Sequence, residues 1–534
     1  MCTLATKRPQ TSNIKRYILI YAFMKKAAVT PKTLKFSTFI KYGVLFVIFG
    51  IALFSRFYHA DLRYSFDEDS TRDALVALEG AKTMQLPLTG PFSSIGAFTF
   101  GPWHYYQLIL FTMILQTAYA PWIYMGILSI LFIAVLYYIG TLVENRTFGI
   151  ILALLAVLSP PQITSGMSVS NPNMIPFYSG LSILIFLLIS KKNKSYWWGL
   201  LLGLTLGIGM NIHYQMMGIL ILPLLLVLTK RWKHALLTGV GIVITFIPLL
   251  MFDLNNHWYT VRGMYIYYRF GKDMIYVPNR WLFYLRDFWP LLWSNTLGTQ
   301  PIAGLVVMIL ASAAVLWRYL QKKFTSYHIM LAIAFLFNII LLRFYWGVRS
   351  FAYCQYLQPF IFFFSGYLIY TLSNIKYMKI PVYLGLAAYV GFLAYSNLPL
   401  FEDHQNNKEM RRETEVIKQN FPNEKVTIYN CGLHYRIRAQ AVSVLLYNDH
   451  INDPAGRKIA FASVYCAYPK TNETGVASYI DIEGRETIYP QLTNIDMFDF
   501  SIASEAAILS EGWVPTTGTT LYNDVLRWWF REQP

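Results

Sequence analysis

The feature that most constrains this chain is a series of long apolar runs that repeats from about residue 39 to residue 397. Many of these runs approach the roughly 20 residues that a helix needs to cross a hydrocarbon core about 30 Å thick, and Trp and Tyr crowd their flanks. Only 14% of the residues are charged and 55% are hydrophobic, unlike the composition of an average soluble domain. The sequence therefore predicts an integral membrane protein with many spans.

The net charge of +17 comes largely from Lys and Arg in short clusters around the apolar runs. Such clusters are typical of cytoplasmic loops, so they indicate membrane topology and not nucleic-acid binding. The basic segment 1–38 is then cytoplasmic, and the first span crosses outward. No small-residue cleavage site follows that span, so we expect it to remain as a helix.

We predict about 11 membrane-spanning helices, arranged so that the clusters KKNKS, TKRWKH, QKKF and NIKYMK all face the cytoplasm. The short run 147–160 ends at Pro160-Pro161. With spans that cross alternately outward and inward, the four clusters can all face the cytoplasm only if this run does not cross the membrane fully. The predicted spans are 39–57, 103–118, 121–143, 174–190, 196–211, 216–229, 235–252, 302–320, 327–342, 354–372 and 380–397.

The composition changes after about residue 398 to that of a soluble protein. RRETEVIKQN favours a helix, EKVTIYN and KIAFASVY favour strands, and AILSEGW before LRWWF suggests a further helix and strand. The predicted fold class is an all-α polytopic membrane domain over 39–397, followed by a C-terminal soluble α/β domain over 398–534. Alternation of the spans puts this domain and the loop 58–102 outside the cytoplasm.

An acidic stretch, FDEDSTRDAL at 66–75, follows the first span. Taken as a helix that begins near Asp67, it places Asp69 and Asp73 four residues apart on one face, with Arg72 beside them. The helix dipole also favours acids at a helix N-terminus, so a non-catalytic interfacial helix explains the pattern about equally well. Carboxylates near a bilayer are costly unless they are paired or hydrated, and a carboxylate held there can act as a general base.

Further polar side chains lie at the outer ends of later spans. Arg343 and Arg349 flank FYWGV between two apolar runs, and a guanidinium group suits phosphate oxygens. His213 and Gln215 follow the end of another span. Arginines near helix ends also commonly cap helices or snorkel to lipid headgroups, and a histidine at a helix end is more often a hydrogen-bonded interfacial residue than a catalyst.

Three motifs follow one another in this part of the chain: DSTRDA at 69–74, LTGP at 88–91 and GPWHYY at 101–106. Their order and spacing resemble the GT-C superfamily of integral-membrane glycosyltransferases, above all its family-39 branch of protein O-mannosyltransferases and lipid A aminoarabinose transferases. Bacterial members often carry Asp-x-x-Arg-Asp-Ala, then Leu-x-Gly-Pro, then Gly-Pro-x-Tyr-Tyr. Weaker collinear matches are HYQ at 213–215, PLLMFDLNNHW at 248–258 and YCQYLQPF at 353–360.

The resemblance implies a glycosyltransferase that takes a sugar from a polyprenyl-phosphate-linked donor within membrane lipids, and we expect inverting transfer to an extracytoplasmic acceptor. Carried over motif by motif, Asp69 is the catalytic base, and a competing alignment that uses Asp67 and Glu68 stays open. The donor phosphate is expected to contact Arg349, Arg343 and His213. The residues expected to bind substrate are Arg72, Asp73, His104, Tyr105, Asn173, Gln215 and Tyr353.

Two departures from the family pattern bear on metal use. Well-known members often have a second Asp in the loop that here reads SVSNPNM, where Asn171 and Asn173 offer only neutral amides. The Thr-Lys element of relatives becomes IHYQ in this chain. We therefore assign no metal ligands and no certain cofactor, and we leave a divalent cation open.

Two other functions fit part of the pattern. The main alternative is a transporter or flippase of lipid-linked saccharides, although such proteins usually bury charged residues at mid-membrane within broken helices of repeated halves. A non-catalytic membrane scaffold is the second alternative, and it predicts no dependence on the first-loop acids. The glycosyltransferase hypothesis requires the first-loop carboxylates and the late arginines to meet at the outer boundary of the membrane.

Overall fold

The computed structural model of the protein describes four long segments and nine short ones. The long segments are 36–191, 195–270, 280–344 and 350–420, and the short ones are 426–430, 436–447, 457–462, 466–468, 477–480, 486–489, 501–503, 513–515 and 527–531. Residues 1–47 form one unit, described from Phe36 onwards, and every contact reported below belongs to the second unit, 48–534. Most of the basic segment 1–38, and Arg349, lie outside the described residues.

Helices dominate the described chain up to residue 420, and every apolar run predicted to span the membrane lies on helical structure. The α-helices are α1 (Phe36–Phe57), α2 (Ala60–Arg63), α3 (Glu68–Thr83), α4 (Trp103–Leu115), α5 (Ala120–Val143), α6 (Arg146–Val157), α7 (Pro160–Ser165), α8 (Ile175–Lys191), α9 (Trp197–Ile212), α10 (Ile221–Leu228), α11 (Trp232–Asn255), α12 (Tyr259–Phe270), α13 (Arg280–Phe283), α14 (Trp289–Leu297), α15 (Pro301–Leu320), α16 (Ser326–Phe344), α17 (Gln358–Ser373), α18 (Lys379–Ser396), α19 (Gln405–Asn420) and α20 (Arg436–Tyr447). Short 3-10 helices precede α8 (Asn171–Met174), α10 (Tyr214–Leu220) and α17 (Phe351–Leu357), another covers Leu398–Phe401, and a π-helical turn covers Tyr284–Phe288.

Five helices of the described chain are long and apolar enough to cross a membrane: α5, α8 with its preceding turn (Asn171–Lys191), α11, α15 and α16. A sixth results if α18 and the segment Leu398–Arg412, bent by 52°, count as one span. These helices support an integral membrane protein, while the number of about 11 spans stays a prediction. Helix α6 has 12 residues, about 18 Å, so it is too short to cross.

The spanning helices differ in how much of their surface the protein covers. In Asn171–Lys191 67% of the apolar window is buried, but in α15 only 17% is buried, so α15 presents most of its apolar surface outward. The inner helices meet through aromatic rings. Phe132 of α5 lies 6.1 Å from Phe362 of α17, and Phe148 of α6 lies 5.4 Å from Phe363. These tilted and edge-on rings form the core of the bundle.

Helices α9 and α11 approach each other closely because small residues line the contact. Gly199, Gly203 and Gly207 are spaced four apart along α9 and therefore share one face. A side chain at Gly203 would overlap the Thr238 carbonyl of α11, and the Thr238 hydroxyl donates to the Gly199 carbonyl at 3.0 Å. Such small-residue contacts are typical of membrane helices, and this contact holds the first half of α9 against α11.

Beyond α19 the described chain contains short strands as well as α20. The strands are β1 (Val426–Asn430), β2 (Arg457–Ala462), β3 (Cys466–Tyr468), β4 (Ala477–Ile480), β5 (Glu486–Tyr489), β6 (Ser501–Ala503), β7 (Trp513–Pro515) and β8 (Arg527–Arg531). One sheet has the order β1-β2-β8-β7, with β1 parallel to β2 and the other pairs antiparallel, and two-stranded sheets join β3 to β6 and β4 to β5. Helix α19 contains RRETEVIKQN, and β1, β2 and β8 lie in the stretches predicted as strands. Of the helix predicted for AILSEGW, all but Trp513, which begins β7, falls outside the described residues, and a separate soluble domain over 398–534 stays a prediction.

Candidate active site

The first-loop helix α3 begins where its sequence supplies an N-cap. The Asp67 carboxylate accepts the Ser70 backbone N–H at 2.7 Å, which satisfies one of the amides left open at a helix start. It also accepts the hydroxyls of Ser65 at 2.7 Å and Ser168 at 3.2 Å. Asp67 therefore ties the start of α3 to the loop around residue 168. Glu68, the next residue, is exposed.

One turn along α3, Asp73 is fully buried in a cluster of polar side chains. Its Oδ1 accepts hydrogen bonds from Arg72 Nε at 2.8 Å and the Tyr105 hydroxyl at 3.0 Å, and its Oδ2 lies 2.8 Å from His104 Nε2. We call Asp73, Arg72, His104 and Tyr105 the Asp73 cluster. Burial opposes ionisation of Asp73, but the neighbouring Arg72 and His104 outweigh it and lower its pKa. The carboxylate therefore stays ionised and binds α3 to the start of α4.

Arg72 joins this buried cluster to an exposed carboxylate. Its Nη1 lies 2.9 Å from Asp69 Oδ1, while its Nε holds Asp73, and 55% of the Asp69 side-chain surface is exposed. Loss of surrounding water raises the pKa of Asp69 despite that exposure, and the carboxylates of Asp73 and Asp67 add to the increase while Arg72 opposes it. Asp69 is therefore a fixed, accessible carboxylate that is more basic than an ordinary aspartate.

The motifs LTGP and GPWHYY meet because two glycines allow the backbone to approach closely. Gly90 N–H donates to the Phe100 carbonyl, and Gly101 N–H donates to the Asn211 carbonyl, both at 2.8 Å. A side chain at Gly101 would overlap the Asn211 side chain, and one at Gly90 would overlap the Gly101 carbonyl. This contact sets the start of α4, and with it His104, against the end of α9.

His213 lies between the first loop and the segment that follows residue 349. Its ring stacks on Phe100 at 4.9 Å and lies 5.1 Å from the Tyr353 ring. Burial lowers the pKa of His213 to about 4, so the ring is neutral near pH 7. Its Nδ1 accepts the Gln215 backbone N–H at 3.4 Å, which leaves the proton on Nε2. His213 can thus donate a neutral hydrogen bond but does not offer a positive charge. The Gln215 side chain is half-buried.

The two asparagines of SVSNPNM face different neighbours. Asn171 is buried and donates to the Ile212 carbonyl at 2.8 Å. The half-buried Asn173 accepts from Gln355 Nε2 at 2.9 Å and donates to the Ser168 carbonyl at 3.2 Å. Asn173 therefore links the loop that touches Asp67 to the helical turn that carries Tyr353.

Of the two arginines predicted to bind phosphate, Arg343 is described and Arg349 is not. Arg343 lies in the last turn of α16, with its guanidinium carbon 5.4 Å from the Trp281 ring centre. Its buried Nε has no hydrogen-bond partner among the residues that the structure describes. The described residues bring Asp69, Arg72, Asp73, His104 and Tyr105 together, and a second group around His213 contains Tyr353 and Gln215.

The C-terminal helices pack on the first loop. Asn407 of α19 donates to the carbonyls of Leu62 and Tyr64, both at 2.9 Å, and Arg411 forms an ion pair with Asp61. Arg63 of α2 in turn donates to the Leu400 carbonyl at 2.7 Å. Helix α20 packs against α3. Residues beyond 398 therefore help to hold the loop that carries Asp69 in place.

Sequence reasoning missed the contacts of Ser168 and Asn407. Ser168 lies between Asp67 and Ser70, and its hydroxyl is 3.2 Å from the Ser70 hydroxyl. The one available signal was the placement of SVSNPN on the same side of the membrane as the acidic loop. Asn407 carries no signal, because an asparagine in a polar stretch is common in loops and helix ends.

The described residues contain no group of three or more His, Cys, Asp and Glu side chains placed to hold a metal ion. Asp69 instead has the cationic Arg72 as its partner.

These helices and loops have the GT-C membrane fold, as the three motifs predicted. The solved structure that carries this assignment is ArnT from Cupriavidus metallidurans bound to undecaprenyl phosphate. The match has a TM-score of 0.52, covers 79% of this chain and 93% of that chain, and has 10% sequence identity. At this identity the likeness shows a shared fold and nothing finer.

Other comparisons give weaker likenesses or none. The oligosaccharyltransferase AglB from Archaeoglobus fulgidus, in complex with an inhibitory peptide and a dolichol-phosphate, matches with a TM-score of 0.49 and 12% identity. That match covers 88% of this chain and 76% of that chain. No protein-family profile and no curated protein sequence matches the chain.

Proposed function

We propose that the protein is an inverting glycosyltransferase of a plasma membrane or cell inner membrane. It moves a sugar from a polyprenyl-phosphate-linked donor to an extracytoplasmic acceptor, which is a protein, a lipid or a cell-envelope glycan. The observation that carries the proposal is the half-exposed Asp69 within a GT-C fold. Arg72 holds this carboxylate and also binds the fully buried Asp73. ArnT, which shares the fold, was solved with undecaprenyl phosphate, which supports a polyprenyl phosphate as the lipid part of the donor.

In the proposed reaction, the acceptor hydroxyl or amine attacks the anomeric carbon of the donor sugar from the face opposite the phosphate. The bond between that carbon and the phosphate oxygen breaks, and its electron pair goes to the phosphate. Asp69 takes the proton of the acceptor. A single displacement of this kind inverts the anomeric configuration, and it requires one base near the acceptor and positive charge near the phosphate.

Among the three candidate bases Asp67, Glu68 and Asp69, Asp69 suits the role best. The Asp67 carboxylate already caps α3 and accepts two further hydroxyls, so it is committed to holding the loop. Asp69 is exposed, and its raised pKa makes it a stronger base. We retain Glu68 as the alternative base because it is exposed next to Asp69.

The buried members of the Asp73 cluster act on Asp69 through Arg72. Asp73 and His104 are fully buried and Tyr105 is 1% exposed, so we propose them as positioning residues instead of residues that touch the sugar. They fix one edge of the Arg72 guanidinium, and its other edge then fixes Asp69. Such preorganisation avoids reorienting charged groups during the reaction.

We propose Arg343 and Arg349 as the cationic ligands of the leaving phosphate, with His213 as a neutral hydrogen-bond donor. The buried Arg343 Nε without a described partner supports this role, because a phosphate oxygen would satisfy it. The rings of Phe100 and Tyr353 contact the His213 ring. Gln215 follows His213 by two residues, and Asn173 bonds Gln355 in the helical turn that carries Tyr353. We propose the side-chain amides of Asn173 and Gln215 as sugar ligands.

The test uses the full-length protein in vesicles supplied with radiolabelled polyprenyl-phosphate sugars and membrane acceptors. Replacement of Asp69 by Asn should lower transfer by about 10²- to 10⁴-fold, the usual contribution of a general base. Glu68→Gln is the matched control, since it removes one exposed carboxylate from the adjacent position. Asp67→Ala should lower the free energy of unfolding by about 1 kcal/mol through loss of the cap.

Full transfer by the Asp69→Asn variant would contradict its role as base. A transfer defect confined to Glu68→Gln would assign the base to Glu68. If the wild-type protein only moved the labelled lipid across the bilayer, with no glycosidic bond formed, the protein would be a flippase instead.

A further inference from the structure

Helix α12 follows the spanning helix α11 after three residues and has two different faces. Thr260 and Gly263 are buried, and Met264 and Tyr267 are half-buried, so these four residues form the packed face. On the opposite side, a helix of 3.6 residues per turn places Arg262, Tyr265 and Arg269 along one stripe, since they are three and seven residues apart. All three side chains of this stripe are exposed, and 62% of the Tyr265 surface is accessible.

The packed face fixes α12 to the first loop. Gly263 lies so close to the Ala97 carbonyl that a side chain there would overlap it, and the Tyr267 ring lies 5.7 Å from Phe98. At its start, the buried Asp253 carboxylate accepts the backbone N–H groups of Thr260 at 2.8 Å and Val261 at 3.2 Å. The position of α12, and therefore of its exposed stripe, is set by these contacts.

The exposed stripe has the composition of a membrane interface. Apolar side chains flank it, with Val261 54% exposed and Ile266 52% exposed. Tyr and Arg beside apolar residues are typical of helices that lie at the headgroup level, where the ring and the alkyl stem remain in the apolar layer. The sequence from 256 to 270 contains no Asp or Glu, and the described residues provide no acid paired with either arginine. The stripe therefore complements a negatively charged surface.

The neighbouring part of α11 indicates which surface this is. Leu250, Met251 and Leu254, in the last two turns of α11, are 47%, 50% and 58% exposed on a helix that is apolar enough to span the membrane. Exposed apolar surface on a helix of this length and hydropathy is typical of contact with lipid. Three residues separate helix α12 from this lipid-facing end of α11. Its exposed stripe therefore lies next to the end of the span, at the level of the lipid headgroups.

We infer that the Arg262–Tyr265–Arg269 stripe binds the headgroups of anionic phospholipids on the side of the bilayer that carries the first loop. The two guanidinium groups pair with headgroup phosphates, and Tyr265 lies between the headgroups and the acyl chains. The occupant is the bulk phospholipid and not the sugar donor. Because α12 also holds Ala97 and Phe98, lipid binding anchors the loop that leads to Gly101 and α4.

The test places a fluorescent label at the stripe of the full-length protein. Tyr265→Cys is labelled with a nitrobenzoxadiazole dye after Cys2, Cys431 and Cys466 are changed to Ser, while the buried Cys354 is retained. The protein is reconstituted without polyprenyl phosphate into phosphatidylcholine, alone or mixed with phosphatidylglycerol. Quenching is measured with headgroup spin-labelled forms of each lipid and with aqueous iodide. A label at the exposed Glu415 of α19 provides the water-facing reference.

We expect spin-labelled phosphatidylglycerol to quench the label at 265 more strongly than phosphatidylcholine does. Changing Arg262 and Arg269 to Gln should reduce this preference about fivefold for each arginine, the equivalent of about 1 kcal/mol per charge at a membrane surface. Changing Lys322 and Lys323 to Gln removes the same charge at the end of α15 and should leave the preference unchanged.

Three results would overturn the inference. The first is equal quenching by the two lipids, and the second is iodide quenching at 265 as strong as at 415. The third is protection from lipid and iodide alike, as a protein partner or a second copy of the chain would give. Thermal unfolding of each variant shows whether a lost preference comes from lost structure.

Discussion

Two clusters in the described part of the molecule are built from the same residue types. The Asp73 cluster holds a carboxylate with an arginine, a histidine and a tyrosine. Elsewhere, Glu144 after α5 lies 3.1 Å from His328 Nε2 and 4.0 Å from Arg318 Nη2, and Arg318 Nε donates to the Tyr367 hydroxyl at 3.2 Å. We call these four residues the Glu144 cluster. Residue types alone therefore do not separate a candidate site from a structural contact.

The difference lies in what each arginine contacts besides the acid of its own cluster, Asp73 or Glu144. Arg72 reaches from Asp73 to the half-exposed Asp69, so a carboxylate remains at the surface. Arg318 reaches from Glu144 to Tyr367, whose phenol is far less basic than a carboxylate is at neutral pH. The first cluster thus presents an accessible base, and the second joins the ends of α5, α15, α16 and α17.

The largest expected effect is that of Asp73→Asn. The substitution removes a fully buried charge that balances Arg72, and breaking such a pair costs about 3–5 kcal/mol. Both the free energy of unfolding and sugar transfer should fall, because Asp69 loses its fixed partner. Chemical denaturation and the transfer assay measure the two losses. Unchanged transfer by a folded Asp73→Asn variant would contradict the positioning role.

A smaller effect on stability, with none on transfer, is expected for Glu144→Gln. The carboxylate is 17% exposed and its arginine partner 14%, so part of the lost interaction is screened by solvent. We expect a loss of about 1–2 kcal/mol in the free energy of unfolding. The initial transfer rate of the folded fraction should equal that of the wild type. A reduced rate at unchanged stability would place the Glu144 cluster in the mechanism.

The pH dependence of transfer tests the Asp69 end of the first cluster. A base must be deprotonated, so the rate should fall about tenfold per pH unit below the pKa of Asp69, which lies above the usual value of 3.8. His213, with its pKa lowered to about 4, should add no loss of rate as pH rises through 6 or 7. Initial rates across the pH range, corrected for unfolding, give the profile. A rate that falls as the pH rises through about 6.5 would instead indicate that a protonated histidine takes part in the reaction.

The smallest effect is expected for Asn407→Ala, which releases the Leu62 and Tyr64 carbonyls from α19. Loss of these hydrogen bonds should cost about 1 kcal/mol. Hydrogen exchange should accelerate in the loop around residues 58–66, with little change in the Glu144 cluster. Equal acceleration in both regions would show that Asn407 stabilises the whole protein and not the first loop.

The Asp73 cluster was accessible to sequence reasoning because its parts are close in the chain. Asp69, Arg72 and Asp73 lie within five residues of one helix, and GPWHYY supplies His104 and Tyr105. The spacing could not show which acid is buried, since Asp73 is buried with His104 and Tyr105, which lie 31 and 32 residues further along the chain. The exposed base and the buried anchor were therefore distinguished only in the structure.

The Glu144 cluster could not be predicted, because its members are spread from residue 144 to residue 367 without a shared motif. The apolar runs, in contrast, predicted where the long apolar helices before residue 400 lie, since a membrane requires a long apolar segment for each crossing. They did not predict α12, α13 and α14, which lie in a stretch expected to be a loop. The bend after α18 and the contacts of Ser168 and Asn407 depend on partners that no local pattern specifies.

The bonds from Asn407 to the first loop also set an order of events during protein synthesis. Asn407, the partner of the Leu62 and Tyr64 carbonyls, lies 345 residues after Leu62 and 343 residues after Tyr64 in the sequence. A ribosome has translated every predicted span before it reaches residue 407. During synthesis the loop around Leu62 and Tyr64 therefore lacks these two hydrogen bonds until the segment that carries Asn407 has been made.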